Sequence, residues 1–189
     1  MSNPAFLIDG FTEKLILERI CQNKKINRIN LNGNSVSISA MAKRICSLIR
    51  LLNNKYYPII ILIDREDRSQ SIEEISSELR NEINKEGILD EVRIGVCDRM
   101  IENWILADWD NLKGCIEKPD IDKPDQIEGV SGKSLMKKLY SGYQETTDGV
   151  NFFMSSNPDI IYQNSNSFKF FIEQIKDIPC FWTQMINTS

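Results

Sequence analysis

Pro58 is followed by Ile59-Ile60-Ile61-Leu62-Ile63, five apolar residues with no polar alternation, and then by Asp64-Arg65-Glu66-Asp67. A strand with one wet face alternates apolar and polar residues, so an unbroken apolar run of this length fits a strand covered on both faces, as in a parallel sheet. The same pattern recurs. Ala5-Phe6-Leu7-Ile8 leads into Asp9-Gly10-Phe11-Thr12-Glu13, and Val92 to Cys97 lead into Asp98-Arg99-Met100-Ile101-Glu102. Ligands of an open parallel sheet sit outside the carboxyl ends of its strands. Carboxylates delivered there from several strands repel one another unless a hard cation joins them, and all-oxygen ligation suits Mg²⁺ or Mn²⁺.

The pattern between the acidic clusters predicts alternating strands and helices. Thr12, as N-cap, and Glu13 open a helix running to about Gln22. Ile26 to Leu31 read as a strand stopped by Asn32-Gly33-Asn34. Ser37 to Asn53 carry a helical period through Ile38, Met41, Ile45, Leu48, Ile49 and Leu52. Ser69 to Glu86 form a helix with a capping-box pattern at Ser71 and Glu74, ended by Gly87. Met100 to Asp108 form another. The order predicts an α/β, Rossmann-like fold of about four parallel strands flanked by helices. Residues 1–115 form this core. Residues 116–189 form a helical C-terminal extension packed on it, with a charged loop from Glu117 to Gly129 and helices at Ser131 to Leu139, Pro158 to Tyr162 and Ser167 to Ile175.

Composition excludes several chemistries. The 189 residues contain no histidine, which removes Ser-His-Asp and Cys-His catalysis and histidine-based zinc sites. The five cysteines are scattered and odd in number, which argues for core thiols over a zinc ribbon or disulfide framework. No apolar run is long enough to span a bilayer and no leader pattern is present, so the expected compartment is the cytoplasm. A net charge of −4 argues against a protein that coats nucleic acid non-specifically. Local basic patches remain: Lys24, Lys25 and Arg28; Lys43, Arg44 and Arg50; Lys133, Lys137 and Lys138, all readable as solvated helix faces.

Asp9, Asp64 and Glu66 are the central candidates for metal ligation and catalysis. Residues two apart in an extended segment point the same way, so Asp64 and Glu66 can face one pocket while Arg65 and Asp67 point elsewhere. Glu102 is a further metal candidate, Glu13 a catalytic one, and Asp108 an outlying one. First-turn acids also occur simply because the helix dipole favours them, which is sufficient for Glu13, Asp98 or Asp108 taken singly. Gly129-Val130-Ser131-Gly132-Lys133-Ser134 superficially resembles a phosphate loop, but Ile127 stands where the motif requires glycine, so Lys133 and Ser134 are expected to open a helix.

At these residues the chain resembles the Toprim (topoisomerase–primase) superfamily, which pairs an acidic residue and glycine after its first strand with an Asp-x-Asp motif after a later one. Ile8-Asp9-Gly10 and Asp64-Arg65-Glu66 occupy those places. Gly10-Phe11-Thr12-Glu13 and Arg99-Met100-Ile101-Glu102-Asn103-Trp104-Ile105-Leu106-Ala107-Asp108 are similar to segments of small standalone bacterial Toprim-like proteins. Asp9 stands where the superfamily usually has Glu, and Glu66 replaces the second Asp. The resemblance implies a Mg²⁺-dependent nuclease acting on DNA or RNA, encoded beside an ATPase and serving phage defence, with Asp9, Glu13, Asp64 and Glu66 catalytic and Asp9, Asp64, Glu66 and Glu102 on the metal. The alternative is a non-catalytic Toprim-like module partnering an ATPase, with Trp104, Trp109, Phe152, Phe153 and Trp182 as a binding surface. A third reading is a Mg²⁺ phosphotransfer enzyme with Asp64 as nucleophile or lone ligand. A homo-oligomer is compatible with each.

Overall fold

The computed structural model describes residues 3–31, 36–116, 118 and 120–186. Four parallel strands, β1 (Ala5–Ile8), β2 (Lys25–Arg28), β3 (Ile59–Asp64) and β4 (Val92–Cys97), form one sheet in the order β2-β1-β3-β4. The fold is α/β and Rossmann-like. The chain steps outward from β1 to β2, then returns across β1 to β3. Strand order therefore reverses between β1 and β3, and a crevice opens there at their carboxyl ends.

Alternation within each strand divides the core. Ala5, Leu7, Ile59, Ile61 and Ile63 face α2 (Ile38–Leu52) and α3 (Ile72–Lys85). Phe6, Ile8, Ile60 and Leu62 face α1 (Phe11–Ile20) and the C-terminal helices. All five residues from Ile59 to Ile63 are buried, as the unbroken apolar run requires. α2 carries its buried stripe on Ile38, Met41, Ile45, Ile49 and Leu52, and Ser37 caps it by accepting the Ala40 N–H at 3.2 Å. The capping box of α3 closes in both directions, at 3.1 Å and 2.7 Å.

After β4 come α4 (Glu102–Ala107), α5 (Trp109–Cys115), α6 (Gly132–Leu139), a π-helical turn (Glu145–Gly149), α7 (Val150–Ser155), α8 (Pro158–Asn164), α9 (Asn166–Ile175) and α10 (Phe181–Met185). α9 lies directly on the sheet. Gly95 makes this possible, since a Cβ there would come within 2.5 Å of Phe171 Cδ2. Phe6, Ile8, Ile60 and Leu62 share one core with Met136, Phe153, Phe168 and Trp182, so residues before and after position 115 pack as one body.

Several expectations are corrected. α1 begins at Phe11 with Gly10 as N-cap and no side-chain cap, so Thr12 is an internal, buried residue. β2 ends at Arg28, and α3 starts only at Ile72, because Ser71 supplies the cap. The Asn32-Gly33-Asn34 turn, and Glu117 and Pro119 of the charged loop, lie outside the described residues. The aromatic residues that the module reading offers as a partner surface are interior, as such residues more often are. Trp104, Trp109, Phe153 and Trp182 are buried and Phe152 is half-buried. Trp104 stacks on Phe171 at 5.5 Å, meets Phe168 edge-on at 5.0 Å, and donates its indole N–H to Ser167 Oγ at 2.8 Å. Cysteine chemistry also differs from expectation. Cys21 and Cys180 form a disulfide, while Cys46 and Cys97 are buried free thiols and Cys115 is exposed. No helix among the described residues is long and apolar enough to cross a membrane.

Candidate functional site

A cleft of about 350 Å³ opens at the carboxyl edge of the sheet. The βα segment after β1 contributes Gly10, Phe11, Thr12 and Glu13; the one after β3 contributes Asp64, Glu66 and Asp67. Arg99 and Glu102 come from the β4–α4 connection, and the C-terminal extension supplies Ser131, Lys133 and Glu145. Six of the lining side chains are carboxylates and two are cations, so the cleft is acidic although basic residues are near. Both lining cations are already paired. Lys133 reaches Glu145 at 2.6 Å, and Arg99 holds Asp67.

Glu13 and Glu102 are buried and Asp64 is half-buried. Glu13 Oε2 and Asp64 Oδ1 are buried and have no hydrogen-bond partner. Glu13 folds back over the helix start, where a Cβ on Gly10 would overlap its carboxylate. Burial pushes Glu13 up from 4.5 to about 7, and the charges of Glu102, Asp9 and Glu145 add to the effect. Burial likewise holds Asp64 well above its ordinary range, reinforced by Glu13, Glu102 and Asp9 and opposed by a hydrogen bond from the Cys97 thiol. That thiol is itself driven up by burial and by Asp64, its partner in the β3–β4 register. Glu102 is buried and raised, chiefly by burial and then by Glu145, while the Tyr143 hydroxyl, which donates to Glu102 Oε1 at 3.3 Å, and Lys133 work against the shift. Mutual reinforcement of this kind marks carboxylates crowded into one dry place.

The remaining candidates are placed differently. Asp9 sits beside the cleft without lining it. Burial and Glu66 raise it, whereas a backbone hydrogen bond from Leu31 and the charges of Arg68 and Arg28 pull it down. Glu66 lines the cleft but is engaged by Arg68 at 3.0 Å, and its left-handed backbone (φ +55°) breaks the extended geometry that would have sent Asp67 away. Arg65 does point elsewhere, pairing with Asp98 at 2.5 Å. Asp98 also accepts the Gly129 N–H, and Asp108 accepts the Asn157 N–H at 2.7 Å, so both acids fasten the C-terminal extension. Lys133 opens α6 behind the N-cap Ser131, as expected. Its position in the acidic cleft was not foreseen, nor was that of Glu145, because both depend on how the extension folds back.

The orphaned oxygens of Glu13 and Asp64 and the all-carboxylate donor set fit a hard divalent cation. Among the described residues no three His, Cys, Asp or Glu side chains already stand in coordinating position. Fold and cleft together define an α/β protein with an acidic site at the switch point of a four-stranded parallel sheet. Residues 9–176 match the domain of unknown function DUF4276, and the chain belongs to that family. No curated protein and no solved structure matches the chain.

Proposed function

We propose that this chain is a Toprim-type, divalent-metal-dependent nuclease that cleaves DNA or RNA phosphodiesters, acting in the cytoplasm as the effector of an anti-phage system beside an ATPase partner. The observation that carries the reading is the pair of buried, unpartnered oxygens on Glu13 and Asp64, in a cleft where strand order reverses. Without a positive partner such a pair is costly, because burial penalises charge and like charges add to it.

Glu13, Asp64 and Glu102 are the residues that would hold Mg²⁺ or Mn²⁺, with Asp9 and Glu66 beside them. When bound, the cation would neutralise phosphate charge and lower the pKa of a water. The chain's own residues supply the rest. Tyr143 fixes one Glu102 oxygen by donating to it. Glu13, raised to about 7 when no cation is present, gives up its proton to bind one. Lys133 and Arg99 are held by Glu145 and Asp67, which leaves each with further N–H donors for a phosphate.

A second reading, a non-catalytic module that partners an ATPase, is favoured by the engagement of Glu66 with Arg68 and of Asp9 with Leu31. Titration calorimetry with Mn²⁺ and Mg²⁺ on the native chain and on Asp64→Ala separates the two. Binding lost on substitution, followed by metal-dependent cleavage, supports the nuclease; a native chain that binds neither metal, with or without nucleic acid, supports the module.

A further inference from the structure

Among the described residues, the large apolar side chains left exposed include Phe11, Leu51, Tyr57, Leu89, Phe181 and Met185, and of these only Phe11 lines the acidic cleft. Phe11 is 46% exposed at the first position of α1, two residues from Glu13. It is not left over from the core, because the buried stripe of α1 runs through Ile16, Leu17 and Ile20. The Arg28 guanidinium lies over the ring, 5.7 Å from its centroid, within cation–π range. Arg28 stands at the carboxyl end of the edge strand β2, level with Ile8 in the register, and reaches the site through its contact with Phe11, without lining the cleft itself. Its Nε is buried without a hydrogen-bond partner.

An exposed aromatic ring flanked by a guanidinium matches the chemistry of an unpaired nucleotide. A base has an apolar face that stacks on an aromatic ring whatever its identity, and the phosphate beside it is met by the cation. A base inside a duplex is already stacked and cannot offer that face. The acidic cleft makes the requirement sharper, since its carboxylates repel the phosphate backbone and leave few contacts to hold a substrate at the entrance.

We infer that Phe11 and Arg28 form a stacking platform for an unpaired base, so that the substrate enters as single-stranded nucleic acid or as a frayed or flapped end. The inference rests on the nuclease reading of the cleft and specifies its substrate class.

The test measures fluorescence anisotropy of a short fluorescein-labelled single strand and of the corresponding duplex, in Ca²⁺, with the native chain, Phe11→Ala and Phe11→Trp. Stacking energies predict that Phe11→Ala weakens single-strand binding roughly tenfold, with duplex binding unmoved and Phe11→Trp retaining affinity. Equal binding of strand and duplex, no detectable strand binding, or an alanine variant indistinguishable from native overturns the platform. Cleavage of the same oligonucleotides in Mg²⁺ and Mn²⁺ is scored separately. Strand binding that depends on Phe11 without cleavage leaves the platform and removes the nuclease. Cleavage lost in Asp64→Ala but indifferent to Phe11→Ala leaves the nuclease and removes the platform.

Discussion

Replacing Glu13 by Gln in the metal-free protein should stabilise it, and only above acidic pH. The side chain is buried, one of its oxygens has no partner, and its carboxyl is lifted from 4.5 to about 7 by burial and neighbouring acids. A carboxyl raised on folding contributes stability in its protonated form; that contribution is complete below the unfolded value and is lost as pH climbs through the folded one. The window for Glu13 therefore runs from 4.5 to about 7. At about 1.36 kcal/mol per pKa unit, the loss amounts to about 3 kcal/mol by pH 8. Gln keeps the shape and carries no charge, so it avoids that loss. A domain of this size moves by about 2–4 °C per kcal/mol, so Glu13→Gln should melt roughly 6–12 °C above native near pH 8 in EDTA. Near pH 4 the two should coincide. The measurement is thermal denaturation followed by circular dichroism across this range. A variant no more stable than native at the alkaline end, or an advantage that does not grow with pH, would refute the account of Glu13 as a buried charge awaiting a cation.

Four further outcomes follow from particular contacts. Gly10→Ala should lose divalent-metal binding by calorimetry with little change in melting, because the new Cβ displaces only the flexible Glu13 carboxylate and Gly10 has an ordinary backbone (φ −88°). Mn²⁺ should raise the melting temperature of the native chain more near pH 8 than near pH 5, since the carboxylates must be ionised to bind it, and Asp64→Asn should abolish the difference. Ser167→Ala should cost about 1–3 kcal/mol in urea unfolding, because the buried Trp104 indole N–H then has no acceptor. Reduction with dithiothreitol should lower stability by about 2–5 kcal/mol, since Cys21 and Cys180 are 159 residues apart and their bond removes much freedom from the unfolded chain.

The sheet was legible because its determinants are local. The unbroken apolar run before Asp64 required two covered faces, and Ser71 with Glu74 fixed the start of α3 within the same turn. The acidic edge followed, because strand direction alone brings the segments after β1, β3 and β4 to one side. What depends on distant packing was not legible. The spacing rule that separated Glu66 from Asp67 assumed extended backbone, and the left-handed turn at Glu66 breaks it. Trp104 and Trp182 read as core residues more readily than as surface, but their partners become visible only when α7 and α9 fold over them. Nothing adjacent to Cys21 announces Cys180, and a single aromatic residue opening a helix, as Phe11 does, carries no periodic signal.

The Cys21–Cys180 bond joins the end of the first helix to the start of the last. Seen as a graph, the polypeptide between them is a closed ring. A protease that cuts once within that ring, for instance in the charged stretch before α6, would sever the backbone without releasing a fragment. The nicked molecule would run as one species until its thiols are freed, and the segment bearing Lys133 and Glu145 would stay tethered to the segment bearing Glu13.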